Sequence, residues 1–540
     1  MAGAGKGWDR RELRADSMVA DEVDVLIVGA GPTGLTLAGI LGQAGVSVMV
    51  VDRDETTVDA PRAVSIDDEA LRVMQSLGIS DRVIADTLPD YGTRYRSPWG
   101  SEFAFVRPKT REFGFPRRSA FRQPILERTL LAGVERFPTV TVSFRTELVD
   151  LAQDGEQVAA TVLAGAGMRT TTARFVVGAD GASSTVRGLL GVGLEGSSFE
   201  QRWLVVDADL DDDDLFDTIA YCDHRRPAIS LPGPHGTRRW EVLLRPGETE
   251  AEVCRPEWLP PILARYGVRP PGQITRRAVY TFHARVASKW RVGRVFLAGD
   301  AAHLTPPYAG QGMNAGIRDA SNLGWKLAGA LSGKLDEAAL ESYESERKHH
   351  AWLMIDLAQT IGRVMTPPNA FSGYGRAALF HAVTRVPTAK RYLLEMRFKP
   401  RPRFESGLII HDNVEPSLVG NMLPQPRVTR DSGGSVLLDD LIGPGFALVR
   451  FGSDFPADAE GWLKELEPRL IRVRPASHRP LGRSTAWLDV RDESGLFQYP
   501  RYANRTLLIR PDRYVAGSFN DGEANQFFEG YRSLLHAQAR

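Results

Sequence analysis

The chain has few cysteines, no long apolar run and no excess of charge of either sign. Its cysteines are Cys222 and Cys254, and neither lies in a CxxC or another metal-ligand spacing. Two cysteines cannot form a disulfide framework, which favours a reducing, cytoplasmic location, and the sequence predicts no metal site. No apolar stretch approaches the roughly 18 residues that a membrane-spanning helix needs, so we expect no membrane partner.

The charge balance and the N-terminus exclude further classes of protein. Lysine and arginine number 67, as do aspartate and glutamate, so no whole-chain field favours nucleic acid as a partner. Residues 1–20 lack the apolar core of a signal peptide, and their composition predicts a disordered tail.

Three motifs rich in glycine and acid stand far apart in the chain. They are VLIVGAGPTG at residues 25–34, GADGASSTVR at residues 178–187 and LAGDAAHLTPPYAGQGMN at residues 297–314. The first follows a short apolar run at residues 24–28 and opens a predicted helix at residues 32–44. A second apolar run, residues 46–51, completes a βαβ unit.

The glycines of the first motif have the spacing of a dinucleotide fingerprint. Gly29 permits the tight turn, Gly31 lets the backbone approach a pyrophosphate, and Gly34 lets the helix pack closely on the strand. Free N–H groups at the helix start favour phosphate. Asp52 ends the second strand, where it can accept hydrogen bonds from the ribose. The motif predicts dinucleotide binding without separating NAD from FAD.

The third motif favours FAD. Asp300 follows a predicted strand at residues 295–298, where its carboxylate can bind a polyol, and FAD has a ribityl chain whereas NAD does not. The turn that follows leads into a helix from Gly312, whose positive end would stabilise reduced flavin. The predicted flavin and oxygen site is the backbone of Pro307, Gly310, Gln311 and Gly312, and the predicted cofactor contacts include Gly299, Asp300, Gly312, Met313 and Asn314.

Other polar residues near these motifs are weaker candidates for cofactor contacts. Arg62 could give the pyrophosphate a fixed cation, Gln123 precedes a helix and could reach the flavin, and Asp180 lies in the second motif. Arg53 follows Asp52 directly. Taken singly, each of these side chains fits a structural role as well.

The remaining patterns predict an α/β fold with a Rossmann-like FAD-binding domain, an inserted antiparallel-sheet substrate domain and a C-terminal α/β domain. Further predicted helices cover residues 67–77, 123–137, 312–330, 337–364 and a stretch near 460–466, and residues 139–164 predict a hairpin turned at Asp154-Gly155. The predicted domains are residues 21–200 with 285–370 (FAD-binding), 201–284 with part of 91–118 (substrate sheet), 371–430 (linker and short helices) and 431–540 (C-terminal domain).

The three motifs resemble the class A FAD-dependent aromatic hydroxylases, the p-hydroxybenzoate hydroxylase-like group. Segments outside the flavin signature, such as PRAVSIDDEALRVMQSLGI from residue 61, look like the 3-(3-hydroxyphenyl)propionate hydroxylase branch. The resemblance implies non-covalent FAD, NADH or NADPH as reductant, O2 as oxidant and a flavin C4a-hydroperoxide as the hydroxylating species. It implies flavin contacts from Gly29, Gly31, Gly34, Asp52, Arg62, Gln123, Asp180 and Asp300.

The C-terminal end has a likeness of its own. The segment TLLIRPDRYVAGSF at residues 506–519 is similar to the thioredoxin-like tail of phenol hydroxylase relatives. No cysteine follows Cys254, so such a tail cannot do dithiol chemistry, and it would serve packing or homodimer contacts.

We therefore predict hydroxylation of a small phenol, 3-(3-hydroxyphenyl)propanoate or a similar compound, ortho to its hydroxyl, giving a catechol. His283 is a candidate base, Arg238 or Arg239 a candidate partner for the carboxylate, and Tyr280 a further substrate residue. Two alternatives stay open at this point: a tailoring hydroxylase of a polycyclic aromatic polyketide, and a flavin-binding protein without oxygenase activity.

Overall fold

The computed structural model describes residues 20–165, 167–209, 216–268, 272–430, 433–451, 466–475, 487–497 and 500–536. Nearly all of the tail predicted at residues 1–20, and most of the helix predicted near residues 460–466, lie outside these ranges. The described chain is a mixed α/β structure with several sheets, as predicted.

The first sheet carries the predicted βαβ unit. Strand Glu22–Val28 pairs in parallel with Gly167–Gly178 on one side and with Val48–Val51 on the other. Helix Pro32–Gln43 connects the two strands at residues 22–28 and 48–51, and the sheet buries a mostly apolar interior, as expected for parallel strands covered on both faces. The sheet order is Arg291–Val292, Val295–Leu297, Gly167–Gly178, Glu22–Val28, Val48–Val51 and Val140–Ser143, with the hairpin Thr146–Gln153 and Val158–Ala164 pairing onto Gly167–Gly178.

The second sheet takes most of its strands from residues 194–287. Its long strands Leu194–Asp209 and Gln273–Ala287 pair antiparallel. An N-terminal hairpin of residues 93–106 completes this sheet, because Thr93–Arg96 pairs in parallel with Thr218–Tyr221. The order across the sheet is His303–Leu304, Gln273–Ala287, Leu194–Asp209, Arg238–Leu243, Ala228–Pro232, Thr218–Tyr221, Thr93–Arg96 and Glu102–Val106.

A small sheet and the helices cover these two layers. The strands Ser65–Ile66, Ser119–Phe121 and Thr87–Pro89 form the small antiparallel sheet. None of the helices in the described ranges is both long and apolar enough to cross a membrane. The α-helices are Pro32–Gln43, Asp68–Ser76, Ser80–Ile84, Gln123–Val134, Thr185–Leu189, Glu250–Val253, Leu259–Ala264, Gly312–Leu331, Ser342–Met365, Ala370–Val383, Pro387–Leu394, Leu438–Ile442 and Ala524–Leu535.

The C-terminal residues form a third sheet docked on the helices of the first domain. Arg510 pairs with Glu346 at 2.7 Å and with Asp512 at 2.6 Å, and all three side chains are buried. Lys326 adds a contact to Glu346 at 2.7 Å. The sheet order is Ser435–Leu437, Arg427–Arg430, Leu488–Asp492, Arg469–Pro475, Ala447–Phe451, Thr506–Ile509 and Val515–Phe519.

Three predicted elements differ in the structure. Residues 140–143 are not part of the predicted hairpin, because they form a parallel edge strand beside Val48–Val51. The alternation of apolar and polar residues predicts a strand here but does not show which strand it pairs with. The predicted helix at residues 337–364 begins as a 3-10 turn, Glu337–Glu341, before helix Ser342–Met365. Residues 371–430, predicted as linker and short helices, contain the helices Ala370–Val383 and Pro387–Leu394 and also bury apolar side chains, among them Phe404 and Leu423.

Candidate active site

A cavity of about 440 Å³ opens at the carboxyl ends of the first sheet's parallel strands and extends beneath the second sheet. The three sequence motifs meet there, since Gly29, Asp180 and Asp300 all line its wall. Crevices outside the carboxyl ends of parallel strands are the usual ligand sites of open α/β sheets. The predicted site residues that line the cavity are Gly29, Gly31, Asp52, Arg53, Arg62, Gln123, Asp180, His283, Asp300, Pro307, Gly310, Gln311, Gly312 and Met313.

The three fingerprint glycines meet different surroundings. A Cβ at Gly29 would stand 2.4 Å from the Ala179 carbonyl oxygen, and its φ of +109° favours glycine. A Cβ at Gly34 would stand 1.9 Å from the Gly29 oxygen, because helix and strand touch there. At Gly31 such a Cβ would meet nothing within 4 Å, and the residue faces the cavity. This open cradle at a helix start fits a pyrophosphate.

Asp52 lies where the second strand ends, as predicted. Its carboxylate accepts hydrogen bonds from the N–H groups of Ala30, at 2.7 Å, and Asp54, at 2.9 Å. Burial raises its pKa from the ordinary value, and the two N–H donors counter that effect. Arg53 is exposed beside it on the cavity wall.

Gln123 holds the segment that carries Arg62. Its Oε1 accepts from the backbone N–H groups of Arg62, at 2.8 Å, and Ala63, at 2.7 Å, while its Nε2 donates to Glu127. Glu127 also accepts from the N–H of Val58 at 3.0 Å. In this structure, therefore, the amide of Gln123 positions the loop around Arg62.

Asp180 organises the second motif. Its carboxylate accepts from Ser184 Oγ at 2.5 Å and from the Val186 N–H at 3.0 Å, which shapes the loop before helix Thr185–Leu189. Arg187 of that helix donates to the Ala301 carbonyl at 3.0 Å and so connects the second motif to the third.

The turn at Gly299-Asp300 is fixed from behind by a buried charge network. The Gly299 N–H donates to Asp319 at 3.1 Å, and Asp319 also contacts His303 at 2.6 Å and Arg347 at 2.8 Å. These partners hold the pKa of Asp319 far below its usual range despite its burial. Gly299 itself packs against Thr33, whereas Asp300 faces the cavity, whose surroundings raise its pKa by desolvation.

The loop predicted to meet the flavin is held by Asn314. Residues Pro307–Ala309 form a 3-10 turn, and Gly310 follows with a φ of +63° before helix Gly312–Leu331. The Asn314 amide donates to the carbonyls of Ser65, at 3.0 Å, and Gly310, at 2.8 Å. Asn314 is buried and absent from the wall of the cavity, so it fixes the shape of the turn.

The structure places the predicted substrate residues away from the cavity wall. Arg238, Arg239 and Tyr280 are not among the residues that line the cavity. Arg239 is engaged by Asp207 at 2.6 Å and by backbone carbonyls of the loop before Arg62, and Arg238 donates to Ser230. Tyr280 hydrogen-bonds to Arg276. Alternation placed these residues on the sheet correctly, but it could not show that neighbouring strands supply their partners.

His283 does line the cavity. Its Nδ1 contacts Ser198 Oγ at 2.8 Å. Partial burial and the nearby Arg285 lower its pKa, so the ring is neutral near pH 7 and able to accept a proton.

The family model described as "FAD binding domain" matches residues 22–358, and the one described as "HcaD C-terminal domain" matches residues 420–534. Curated relatives that are 40% identical to the chain bear the name 3-(3-hydroxy-phenyl)propionate/3-hydroxycinnamic acid hydroxylase. The chain belongs to the FAD-dependent aromatic hydroxylases.

Curated relatives match this hydroxylase over nearly its whole length. The 3-(3-hydroxy-phenyl)propionate/3-hydroxycinnamic acid hydroxylase of Mycolicibacterium gilvum (strain PYR-GCK) is 40% identical, covering 95% of this chain and 92% of the relative. The protein of the same name from Klebsiella pneumoniae (strain 342) is also 40% identical, covering 92% of each chain.

Solved structures share the fold of the hydroxylase. A ternary complex of aklavinone-11 hydroxylase with FAD and aklavinone aligns with a TM-score of 0.76 at 26% identity, covering 96% of this chain and all of that one. The flavin-dependent monooxygenase PieE, solved with FAD and substrate, aligns with a TM-score of 0.75 at 22% identity, covering 95% of this chain and 99% of that one, and shows the fold alone.

Beyond the loops, the cavity of the hydroxylase has an aromatic wall that the sequence did not reveal. Trp203, Phe282 and Tyr308 form a cluster with ring centroids 5.7 to 5.9 Å apart. These residues come from two strands and the third motif, so no local pattern joins them. Other residues of the wall are Tyr91, Tyr95, Arg118, Glu241, Met396, Phe398 and Lys399.

Proposed function

We propose that this hydroxylase acts on a 3-hydroxyphenyl-substituted short-chain acid, with 3-(3-hydroxyphenyl)propanoate as the first candidate, and converts it ortho to the hydroxyl into a catechol. Support comes from the relatives at 40% identity over nearly the whole chain, which bear the names of such hydroxylases. A single observation carries the proposal: the three flavin motifs and the aromatic cluster of Trp203, Phe282 and Tyr308 line one continuous cavity.

The residues on the cavity wall fit FAD. Gly31 and the start of helix Pro32–Gln43 would hold the pyrophosphate, Asp52 the ribose, Asp300 the ribityl chain, and Gly310–Gly312 the flavin ring. Arg62, positioned by Gln123, would supply a cation. We propose supporting roles for Gly29, Gly34, Arg53, Asp180, Gly299, Met313 and Asn314.

FAD held in this cavity would supply the redox chemistry, taking electrons from NADH or NADPH and using O2 to hydroxylate the ring. The protein orients the substrate and excludes water. Trp203, Phe282 and Tyr308 offer an apolar slot beside the turn at Gly310, where a single aromatic ring can lie against the flavin side of the cavity. Neutral His283 would accept the phenolic proton, which makes the ring more electron-rich and more reactive.

We propose further that the C-terminal sheet is thioredoxin-like, that the protein forms homodimers and that it works in the cytoplasm. The order Val515–Phe519, Thr506–Ile509, Ala447–Phe451 and Arg469–Pro475, with the middle pair antiparallel and the last pair parallel, agrees with a thioredoxin-like arrangement. Unpaired Cys222 and Cys254, and dependence on NAD(P)H, support a reducing cytoplasm.

A substrate screen tests the proposal. NAD(P)H oxidation by the FAD-loaded enzyme is measured with 3-(3-hydroxyphenyl)propanoate, with simple phenols and with aklavinone, and products are identified. We expect coupled catechol formation from the acid. Hydroxylation of aklavinone with no product from the acid would instead establish the polycyclic alternative, and NAD(P)H oxidation without product would show that the acid is the wrong ligand.

A further inference from the structure

Among the described residues of the cavity wall, Arg118 is an arginine whose hydrogen-bond partners are all uncharged. Arg118 Nη1 donates to Thr93 Oγ1 at 2.8 Å, and Nη2 donates to the Tyr91 hydroxyl at 3.1 Å. The guanidinium carbon lies 4.5 Å from the centroid of the Tyr91 ring. Among the residues that the structure describes, no aspartate or glutamate oxygen lies within 4.0 Å of it. Two hydroxyls and a ring therefore orient the guanidinium without neutralising it.

The other cations on the wall have roles elsewhere. Lys399 is paired with Asp67 at 3.0 Å and Glu69 at 2.8 Å. Arg53 follows Asp52 at the dinucleotide end, and Arg62 belongs to the loop that Gln123 holds there. Of the lysine and arginine side chains on the described wall, Arg118 is the one left for a ligand other than the dinucleotide.

Strand pairing connects Arg118 to the flavin turn. Arg118 immediately precedes strand Ser119–Phe121, in which Ser119 is paired with Ile66. The neighbouring Ser65 touches the turn, because a Cβ at Gly310 would stand 3.1 Å from the Ser65 Cβ. The cation is therefore carried by the same small sheet that supports the start of helix Gly312–Leu331.

Tyr95, whose phenol could carry a negative charge near Arg118, stays uncharged near pH 7. Tyr95 also lines the cavity, and burial raises its pKa to about 12, although the charge of Arg118 opposes that rise. The phenol of Tyr95 therefore provides no counter-charge near pH 7, and a partly buried guanidinium is best satisfied by a carboxylate that brings two oxygens.

We propose that Arg118 is the carboxylate-binding residue of the substrate site, oriented by Tyr91 and Thr93, and that it selects phenols bearing an acidic side chain over neutral phenols. This role rests on the proposed function. The side-chain carboxylate pairs with the guanidinium, and the ring of the substrate extends toward the turn at Gly310. In this proposal Arg118, and not Arg238 or Arg239, binds the substrate carboxylate.

The test compares an acid with its neutral counterpart in three variants. Dissociation constants of 3-(3-hydroxyphenyl)propanoate and of 3-(3-hydroxyphenyl)propanamide are measured on the FAD-loaded enzyme from the change in flavin absorption. For Arg118→Gln we expect affinity for the acid to fall about 100-fold and affinity for the amide to change less than threefold. Arg118→Lys should recover part of the affinity, because lysine keeps the charge but not the planar fork. Arg128→Gln removes an equal charge from an exposed helix position and should change neither constant.

The outcomes separate the two proposals. Equal losses for acid and amide in Arg118→Gln, or no loss for either, would overturn the role of Arg118 while leaving the proposed substrate intact. A wild-type enzyme that binds neither compound would overturn the proposed substrate and, with it, the inference. The acid-to-amide ratio within a single variant is insensitive to partial misfolding.

Discussion

At the residue scale, the glycines of the fingerprint differ in what surrounds them. Gly34 touches the backbone of Gly29, whereas Gly31 faces open space in the cavity. The same spacing in the sequence therefore covers one glycine that the packing of helix on strand requires and one that we propose admits a phosphate.

This difference predicts opposite behaviour for two alanine variants. Gly34→Ala should destabilise the flavin-free protein by about 1–3 kcal/mol, since its Cβ would collide with the Gly29 carbonyl. Gly31→Ala should leave that stability nearly unchanged but weaken FAD binding at least tenfold, because the methyl group projects into the phosphate cradle. Thermal unfolding of the apoprotein and FAD titration measure the two effects. Similar melting temperatures for both variants would contradict this assignment.

At the element scale, the start of helix Asp68–Ser76 concentrates buried acids. Asp67, Asp68 and Glu69 face Lys399 and Arg318, and Arg117 lies 3.8 Å from Asp68. Asp67 contacts both Lys399 and Arg318 at 3.0 Å, and these two cations hold its pKa far below its usual range. Burial dominates at Asp68 and raises its pKa to about 7. The acids at the start of this helix and Lys399, which are far apart in the sequence, thus depend on each other for their charge balance.

The raised pKa of Asp68 predicts how stability depends on pH. Between about pH 4 and pH 7 the unfolded chain ionises at this residue while the folded protein keeps the proton, so the free energy of unfolding should fall as pH rises through that window. Asp68→Asn removes this titration. We expect the variant to match the wild type at pH 4 and to be more stable by about 1–3 kcal/mol at pH 8.

Urea unfolding at several pH values measures this dependence. Asp59→Asn, at an exposed position, is the matched control and should follow the wild-type curve. If the Asp68→Asn variant is less stable than the wild type at pH 8, the prediction is wrong and the ionised carboxylate is the stabilising form.

At the scale of the whole molecule, buried ion pairs join the C-terminal sheet to the rest of the protein. Glu346 on helix Ser342–Met365 accepts from Arg510 and Lys326, and Asn322 bridges Glu346 and Asp512. Burying these charged groups without their partners would cost free energy of folding. The C-terminal sheet and the helices that it contacts should therefore unfold together.

Breaking this network should therefore destabilise the entire chain. Arg510→Met leaves Glu346 and Asp512 without their shared cation, and we expect a loss of about 3–5 kcal/mol in a single transition. Lys334→Met removes an exposed pair with Glu467 and should cost less than about 1 kcal/mol. Urea unfolding followed by tryptophan fluorescence and by circular dichroism measures both, and two separate transitions in the wild type would refute the coupling.

The sequence by itself determined where the three motifs lie relative to their strands and helices. The spacing of Gly29, Gly31 and Gly34, and the acids Asp52 and Asp300 after their strands, follow from local rules for parallel strands and helix starts, so a linear pattern is enough to identify them. Membership of the FAD-dependent aromatic hydroxylases was predicted on these motifs and is confirmed by the comparisons.

Only the tertiary structure decided which polar side chains of the cavity region already have partners within the protein. Gln123 was expected to reach the flavin, but its amide is occupied by the loop of Arg62, and Arg239 is occupied by Asp207. Only the structure shows that the hydrogen-bond partners of Arg118 are hydroxyls. Whether a charged side chain is neutralised depends on partners from remote strands, and that information is absent from any short stretch of sequence.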